Sequence, residues 1–253
     1  MSATNVALIL AAGNGSRLVQ VSGGKPKPLV DLHGRPLLEH ILLGAQEAGI
    51  QRCVVVVGYC GYQIRSWVVN QRFRDLDIEV VENREYDKAN GVSVVKAEPL
   101  MKEPFLLLMA DHIFEPETAA ALLEENIKDD EVILAVDGKI DRIFDLDDAT
   151  KVSARDGHII DVGKNLKVYN AIDTGMFLCN PILFSWLRAM IDVGKCSLSD
   201  GIRSMSRCRK VRTFDIGDAI WQDVDTPEAL AHAQVVFGEL YGPAPTLGEA
   251  RLV

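Results

Sequence analysis

Few cysteines and a shortage of positive charge mark this sequence of 253 residues. It has 5 cysteines, an odd number, and no two of them form a C-x-x-C pair. That pattern argues against a disulfide framework or a zinc site. Lys and Arg total 27 against 36 Asp and Glu, which gives a net charge of −9. So acidic a chain lacks the basic surface that nucleic acids require, and we expect no nucleic-acid partner.

Long apolar runs are missing as well. No run approaches the ~18 residues of a membrane-spanning helix. The N-terminus has no basic flank followed by a long apolar segment, which a signal peptide would have. We therefore expect a cytoplasmic protein without a membrane segment.

The apolar runs that are present are short and alternate with helical patterns. They begin at Asn5, Arg52, Asp77, Pro104 and Glu131. Strands that are apolar on both faces, separated by amphipathic helices, predict an α/β fold with a doubly wound, mostly parallel, Rossmann-like sheet. After about residue 137 the pattern changes, and alternating strands flank a hairpin signal at residues 156–157. This second half predicts an added mixed or antiparallel sheet with a hairpin.

A glycine-rich loop concentrates positive charge in this acidic chain. The segment LILAAGNGSRLVQVSGGKPKPLV, residues 8–30, carries Arg17, Lys25 and Lys27, with no acid between residues 13 and 30. It follows a predicted buried strand, and parallel sheets bind ligands at the carboxyl ends of their strands. Backbone N–H groups beside several cations form an anion site, which we expect to hold several phosphates. The alternative is a surface loop with incidental basic residues, and the local absence of acids weighs against it.

The loop fits neither of two common phosphate-binding motifs. The Walker pattern requires Ser or Thr after its lysine, where this sequence has Pro26. The dinucleotide fingerprint requires a third glycine, where this sequence has Leu18, and it is neutral at the position of Arg17. This second mismatch disfavours a nicotinamide-linked oxidoreductase.

The loop instead resembles the signature L-A-A-G-x-G-x-R, followed by P-K-x-L, of the sugar-phosphate nucleotidyltransferase-like family. These enzymes join a nucleoside triphosphate to a phosphorylated sugar or alcohol and release pyrophosphate. The resemblance implies catalytic roles for Arg17, on the leaving phosphates, and Lys27, on the reacting α-phosphate. It implies no fixed role for Lys25. The residues that it assigns to the nucleotide are Leu10, Ala11, Ala12, Gly13 and Gly15.

Acidic residues complete the predicted site. Asp111 follows the apolar run FLLLMA, and Asp223 and Asp225 fall on one face if WQDVDT is extended. Carboxylates are the usual protein ligands of Mg²⁺, and the family resemblance places metal-binding aspartates in both segments. The alternative to metal binding is that these aspartates cap helices or lie in turns; a helix start at Thr226 would explain Asp225 in this way. We expect Asp111 and Asp223 to hold Mg²⁺, and Asp225 is the next candidate for the second ligand.

Two later segments bear on the substrates. The segment NREYDKANGVSVVKA resembles the base-side segment of cytidylyltransferases through Asn90, Gly91 and Ser93, although a plain helix start is the alternative. In DVGKNL, Lys164 lies at a strand end of the added sheet and is expected to bind the acceptor phosphate, although a lone lysine is usually solvated. Asp173, Thr174 and Gly175 are expected to contact acceptor hydroxyls.

Together these segments resemble CTP:inositol-1-phosphate cytidylyltransferases up to about residue 237. The resemblance implies a single nucleotidyltransferase domain at residues 1–240, with a nucleotide-binding half at 1–137 and an acceptor-binding half at 138–240. Residues 241–253 are expected to form a loose tail. The implied reaction is Mg²⁺-dependent transfer of a cytidylyl group from CTP to inositol 1-phosphate, which gives CDP-inositol and pyrophosphate.

Several alternatives stay open at this point. The acceptor could be phosphocholine or a sugar 1-phosphate, with CTP or UTP as donor. A non-catalytic nucleotide sensor is the alternative of another class. A separate membrane transferase is the expected consumer of the product. A homodimer is compatible with the sequence, which does not determine the oligomeric state.

Overall fold

The computed structural model describes residues 4–18, 21–71 and 73–238, and the tail expected at 241–253 lies outside them. The strands are β1 (Val6–Ala11), β2 (Asp31–Leu32), β3 (Arg35–Pro36), β4 (Arg52–Val57), β5 (Asp77–Glu82), β6 (Phe105–Met109), β7 (His112–Phe114), β8 (Val132–Asp137), β9 (Lys151–Arg155), β10 (His158–Gly163), β11 (Ala171–Cys179), β12 (Val211–Asp215) and β13 (Trp221–Asp223). The helices are α1 (Leu37–Glu47), α2 (Gly61–Asn70), α3 (Gly91–Lys96), α4 (Pro116–Leu123), α5 (Ile182–Asp192), α6 (Leu198–Ser206) and α7 (Pro227–Val236).

Strand β1 is buried along its whole length because helices cover both faces of the sheet. Alternate side chains of a strand point to opposite faces, so β1 contributes to two cores. Ala7, Ile9 and Ala11 pack in the core that also holds residues of α1, α2, α4 and α7. The other three β1 residues pack with residues of α3, α5 and α6. The doubly wound α/β arrangement expected from the sequence is confirmed.

A nine-stranded sheet runs through both halves of the chain in the order β5-β4-β1-β6-β11-β8-β12-β10-β9. The four strands from β5 to β6 are parallel. Their carboxyl ends therefore share one edge, where ligands of such sheets bind. Strand β11 is antiparallel to both β6 and β8, which begins the mixed part of the sheet.

The second half adds mixed and antiparallel pairing, as expected, by extending the sheet of the first half. β8 and β12 are parallel, whereas β9 and β10 form an antiparallel hairpin around Asp156 and Gly157. β9 also pairs with residues 171–172 of β11, so this end of the sheet folds back on itself. Two short antiparallel pairs, β2 with β3 and β7 with β13, lie outside the large sheet.

The helices are short compared with a membrane span. The two longest helices given above, α1 and α5, have 11 residues each. Within residues 4–18, 21–71 and 73–238, no helix is long and apolar enough to cross a bilayer.

The α5 side of the sheet depends on an aromatic pair, which gives a stability prediction. Phe184 of α5 is 1% exposed and stacks on Phe105 of β6 with ring centroids 5.4 Å apart. Phe184→Ala should lower the free energy of unfolding by ~3–5 kcal/mol, because it removes a large buried side chain and leaves a cavity. Val235→Ala on the exposed face of α7 is the control. Urea denaturation checks this, and a loss below about 1 kcal/mol would contradict the packing described.

Candidate functional site

A cavity of about 150 Å³ opens beyond the carboxyl end of β6, where β6 meets β11. Residues from both halves of the chain line it. They include Asn90, His112, Lys164, Asp173, Trp221 and Asp223. The sheet edge that the sequence indicated therefore has a concave, strongly polar pocket.

The glycine loop packs directly on Lys27. Gly15 has a φ of +56°, and a Cβ at Gly15 would overlap the Lys27 side chain. Only glycine fits this approach without strain. Lys27 begins a short 3₁₀ helix, Lys27–Leu29, and is 7% exposed. Gly13, in contrast, faces open space, and Lys25 is exposed.

The Lys27 ammonium bridges two carboxylates, those of Asp111 and Asp225. Burial alone would lower the pKa of Lys27, but the two carboxylates outweigh burial and raise that pKa. Burial would likewise raise the pKa of Asp111, but Lys27 and His112 outweigh it and lower the pKa. Lys27 and Asp111 are thus both charged at neutral pH, and each ion stabilises the other in a partly buried setting.

The ion pairs continue from Lys27 into the second half of the chain. Asp225 also binds Arg17 Nη2, and Arg17 Nη1 donates to Asp148 Oδ2 at 2.7 Å. Asp148 Oδ1 then accepts from Lys164 Nζ at 2.5 Å. We call this alternating series the charge chain; its members are Lys164, Asp148, Arg17, Asp225, Lys27 and Asp111. It connects three predicted phosphate-binding cations with two predicted metal ligands.

The small β7–β13 sheet positions the acidic end of the charge chain. Asp223 of β13 is the register partner of His112 in β7, and the Val224 N–H donates to the Asp111 carbonyl at 2.9 Å. These backbone bonds fix Asp111 beside the segment that carries Asp223 and Asp225. Thr226 caps α7 through Ala229, so the predicted helix start is real and leaves both aspartates available.

His112 takes a central place that the sequence did not indicate. Its Nδ1 is 2.7 Å from Asp111 Oδ1, and its ring stacks on Trp221 with centroids 5.8 Å apart. Burial would lower the pKa of His112, but Asp111 outweighs it and raises that pKa. A Cβ at Gly175, which has a φ of +76°, would lie 2.5 Å from His112 Cδ2. Gly175 therefore makes room for the imidazole that orients Asp111.

An irregularity in β11 directs Asp173 toward the cavity. Between Asp173 and Phe177 the register with β8 shifts, which is how a bulge re-aims a side chain. Burial raises the pKa of Asp173 to about 6, against the opposing effects of the Gly175 N–H and His112. Thr174 is 4% exposed and donates its hydroxyl to the Ala135 carbonyl, and Gly175 lines the cavity. The geometry gives Thr174 a packing role, and its contact with an acceptor stays a prediction.

The N-G-x-S residues connect α3 to α6. Asn90 Oδ1 accepts the Leu198 N–H at 2.9 Å, and a Cβ at Gly91 would lie 2.6 Å from the Cys196 carbonyl. The Ser93 hydroxyl accepts from the buried Asn83 amide at 2.9 Å. Asn90 still lines the cavity. Roles of these residues in base recognition stay predictions.

Two further residues of the site were missed by the sequence reasoning. Trp221 forms the wall on which His112 stacks, and Asp148 joins Arg17 to Lys164. Asp148 lies in the acidic run DLDD, and nothing in that run distinguishes it from Asp147. Trp221 is the first residue of the predicted WQDVDT strand, so its position could be predicted from the sequence, but its stacking on His112 could not.

Carboxylates at the acidic end of the charge chain are the groups that could hold a divalent cation. Across the part of the chain that the structure describes, no three His, Cys, Asp or Glu side chains are already grouped as a metal site. Asp111 and Asp225 nevertheless share one ammonium, so a cation already sits between them. Burial raises the pKa of Asp223, and Asp225 and Asp111 add to this by repulsion. A hard divalent cation takes one or two carboxylates together with phosphate and water, and the oxygens of Asp111 and Asp225 are ligands of that kind.

Comparison with known proteins places this site in a family. The model of the MobA-like NTP transferase domain matches residues 7–207. A Rubrobacter xylanophilus protein named bifunctional IPC transferase and DIPP synthase is 35% identical over 226 residues, which cover 88% of this chain and 50% of that protein. One of the same name from Aquifex aeolicus is 31% identical over 237 residues, with 90% and 50% covered. The chain thus spans about half the length of these relatives.

Solved structures agree with the sequence matches. An inositol-1-phosphate CTP transferase from T. maritima has a TM-score of 0.86 and 26% identity, with 97% of this chain and 100% of that chain covered. A UDP-glucose pyrophosphorylase complexed with UDP-glucose has a TM-score of 0.77 and 16% identity, with 93% and 99% covered. The second likeness shows the fold alone. The family resemblance inferred from the sequence is confirmed.

The raised pKa of Asp173 gives a pH-dependent prediction. The folded-state pKa, about 6, lies above the ordinary value of 3.8, so stability falls as pH rises through this interval. Asp173→Asn should therefore raise the free energy of unfolding by roughly 3 kcal/mol at about pH 8, and most of this gain should be lost near pH 4. Thermal and urea denaturation of both proteins at the two pH values checks this.

Asp129→Asn, a change at an exposed carboxylate, is the control for the loss of one charge. A gain for Asp173→Asn that is the same at both pH values would show that Asp173 does not titrate as described.

Proposed function

Because the chain belongs to the MobA-like NTP transferase domain family, we propose that it transfers a cytidylyl group from CTP to inositol 1-phosphate, with Mg²⁺, and releases pyrophosphate. The family and the matched relatives support nucleotidyl transfer as the reaction of this chain. The identities of both substrates and of the metal are proposed. CDP-inositol would be the product.

The observation that carries the proposal is the charge chain beside the cavity. Transfer between two phosphorylated substrates requires cations for both sets of phosphates, together with carboxylates for a metal. Arg17 and Lys27 come from the glycine loop and the short helix after it, and Lys164 comes from the second half. All three are held by carboxylates in one network at the carboxyl edge of the sheet.

The choice of CTP and inositol 1-phosphate has separate support. It comes from the chain-wide likeness to a solved inositol-1-phosphate CTP transferase, together with the N-G-x-S segment at residues 90–93. Trp221 offers an apolar face in the cavity, and Asp173 offers an oxygen that can accept from a hydroxyl. A ring that is apolar on its faces and hydroxylated at its edge suits such a wall.

The protein's residues would act by binding and by neutralising charge. The glycine-loop backbone and Arg17 would hold the β- and γ-phosphates, and Lys27 would move from the carboxylates to the α-phosphate. Lys164 would hold the phosphate of the acceptor, and Asp173 would orient its ring. One oxygen of that phosphate then attacks the α-phosphorus in line; a new P–O bond forms, the α–β bridging P–O bond breaks, and pyrophosphate leaves. The reaction needs no covalent enzyme intermediate, because the acceptor oxygen replaces pyrophosphate on the α-phosphorus in one displacement.

The metal would be held by Asp111 together with Asp223 or Asp225. When bound, Mg²⁺ supplies positive charge that neutralises phosphate oxygens in the transition state. His112 would keep Asp111 ionised and correctly oriented through its Nδ1 contact. Asp223 is the preferred second ligand, and Asp225 is the alternative.

We propose that the protein acts in the cytoplasm and that a membrane enzyme uses its product. The five cysteines are free thiols, which supports a reducing, cytoplasmic environment. A membrane-bound transferase is the proposed consumer of the CDP-alcohol.

Pyrophosphate release tests the proposal. CTP, UTP, ATP and GTP are each combined with inositol 1-phosphate, phosphocholine and glucose 1-phosphate, with Mg²⁺ present. Release is expected with CTP and inositol 1-phosphate and should fall to background with Asp111→Ala. Release with another pair would show that the proposed substrates are wrong and that the proposed mechanism still holds. Nucleotide binding without release from any pair would favour a sensor and contradict transfer.

Lys27 and Lys25 form a matched pair for testing the role of the buried cation. Lys27→Met should lower kcat by ~10²–10³-fold, the usual loss when one preorganised group on a developing negative charge is removed. Lys25→Met removes the same charge from an exposed position two residues away and should leave kcat within about twofold. Equal effects of the two changes on kcat would mean that Lys27 acts only through its long-range positive charge and not through a specific contact with the α-phosphate.

A further inference from the structure

Asp148 binds two cations that belong to different substrates under the proposed function. It lies in the segment that precedes β9. Its Oδ2 accepts from Arg17 Nη1 at 2.7 Å, and its Oδ1 accepts from Lys164 Nζ at 2.5 Å. Arg17 belongs to the glycine loop, and Lys164 follows β10. A single carboxylate thus spans the nucleotide and acceptor sides of the cavity.

The segment that carries Asp148 is braced at several points. The Asp148 N–H donates to Asp145 Oδ1 at 3.3 Å, and Lys151 Nζ donates to the Asp147 carbonyl at 2.8 Å. The Asp173 N–H donates to the Thr150 carbonyl at 2.9 Å, which ties the segment to β11. The carboxylate is therefore presented to both cations from a fixed backbone.

The two oxygens of Asp148 are anionic hydrogen-bond acceptors, as are the phosphate oxygens that the same cations would bind. Arg17 is 48% exposed, Lys164 is 55% exposed and Asp148 is 28% exposed in their side chains. Ion pairs at such exposure are weak, so an incoming phosphate can replace Asp148. When the phosphate leaves, the fixed carboxylate is in place to recover the cations.

We infer that Asp148 is a positioning residue that competes with substrate and product phosphates for Arg17 and Lys164. Before binding it holds Lys164 in the cavity wall and Arg17 beside it. After transfer it displaces pyrophosphate from Arg17 and thereby speeds product release. This inference rests on the proposed function, since it takes Arg17 and Lys164 as the phosphate-binding cations.

Binding of magnesium pyrophosphate by isothermal titration calorimetry tests the inference without any acceptor. Asp148→Asn should bind pyrophosphate about fivefold more tightly than the wild type, because the weak competing ion pairs are lost. In turnover the same change should lower both the KM for CTP and kcat, since product leaves more slowly. A residue with a merely structural role would weaken binding when altered, so tighter binding distinguishes the two.

Two further variants define the comparison. Asp147→Asn removes the same charge from an exposed side chain on the same segment and should leave pyrophosphate affinity unchanged. Asp148→Glu keeps the charge and should return affinity toward that of the wild type. Unchanged or weaker pyrophosphate binding by Asp148→Asn, with normal binding by the wild type, would overturn the role of Asp148 alone. A wild type that binds no pyrophosphate and turns over no CTP would overturn this inference and the proposed function together.

Discussion

The Lys27 ammonium, buried between Asp111 and Asp225, is the interaction on which the rest of the site depends. Without it, carboxylates from two separate segments would repel each other in a partly dry setting. With it, the β6–β7 turn and the β13 segment stay together, and Arg17 is drawn in through Asp225. A buried ion cluster of this kind contributes little net stability. Its value lies in keeping charged groups assembled where charged substrates must bind.

The same cluster explains the glycine loop and the acidic composition together. The backbone of the loop packs closely against the Lys27 side chain at Gly15, where a positive φ and the absence of a side chain are both required. The loop concentrates positive charge in an otherwise acidic chain, so a triphosphate is attracted to the loop and repelled by the acidic surface around it. Within the site, carboxylates hold every cation of the charge chain until substrate arrives. His112 and Gly175 act through Asp111: His112 contacts its carboxylate, and Gly175 leaves room for the His112 ring.

The fold followed from the sequence because local signals and tertiary context agree. β1 and β4 read as continuous apolar runs since helices cover both faces, and the Asp156–Gly157 hairpin formed where turn chemistry placed it. Arg17, Lys27 and Asp111 were found because a motif or a strand end marked them. Asp148 and the stacking of His112 on Trp221 were not, since both depend on how distant segments meet. The sequence also could not show that Thr174 bonds the Ala135 carbonyl.

A structure of the protein with CTP and Mg²⁺ bound would test the central claim most directly. The account predicts that Lys27 Nζ leaves the carboxylates and contacts the α-phosphate, while the metal takes its place between Asp111 and an aspartate of the β13 segment. Nucleotide bound with the Lys27 bridge to Asp111 and Asp225 intact, and with no metal on these carboxylates, would contradict it.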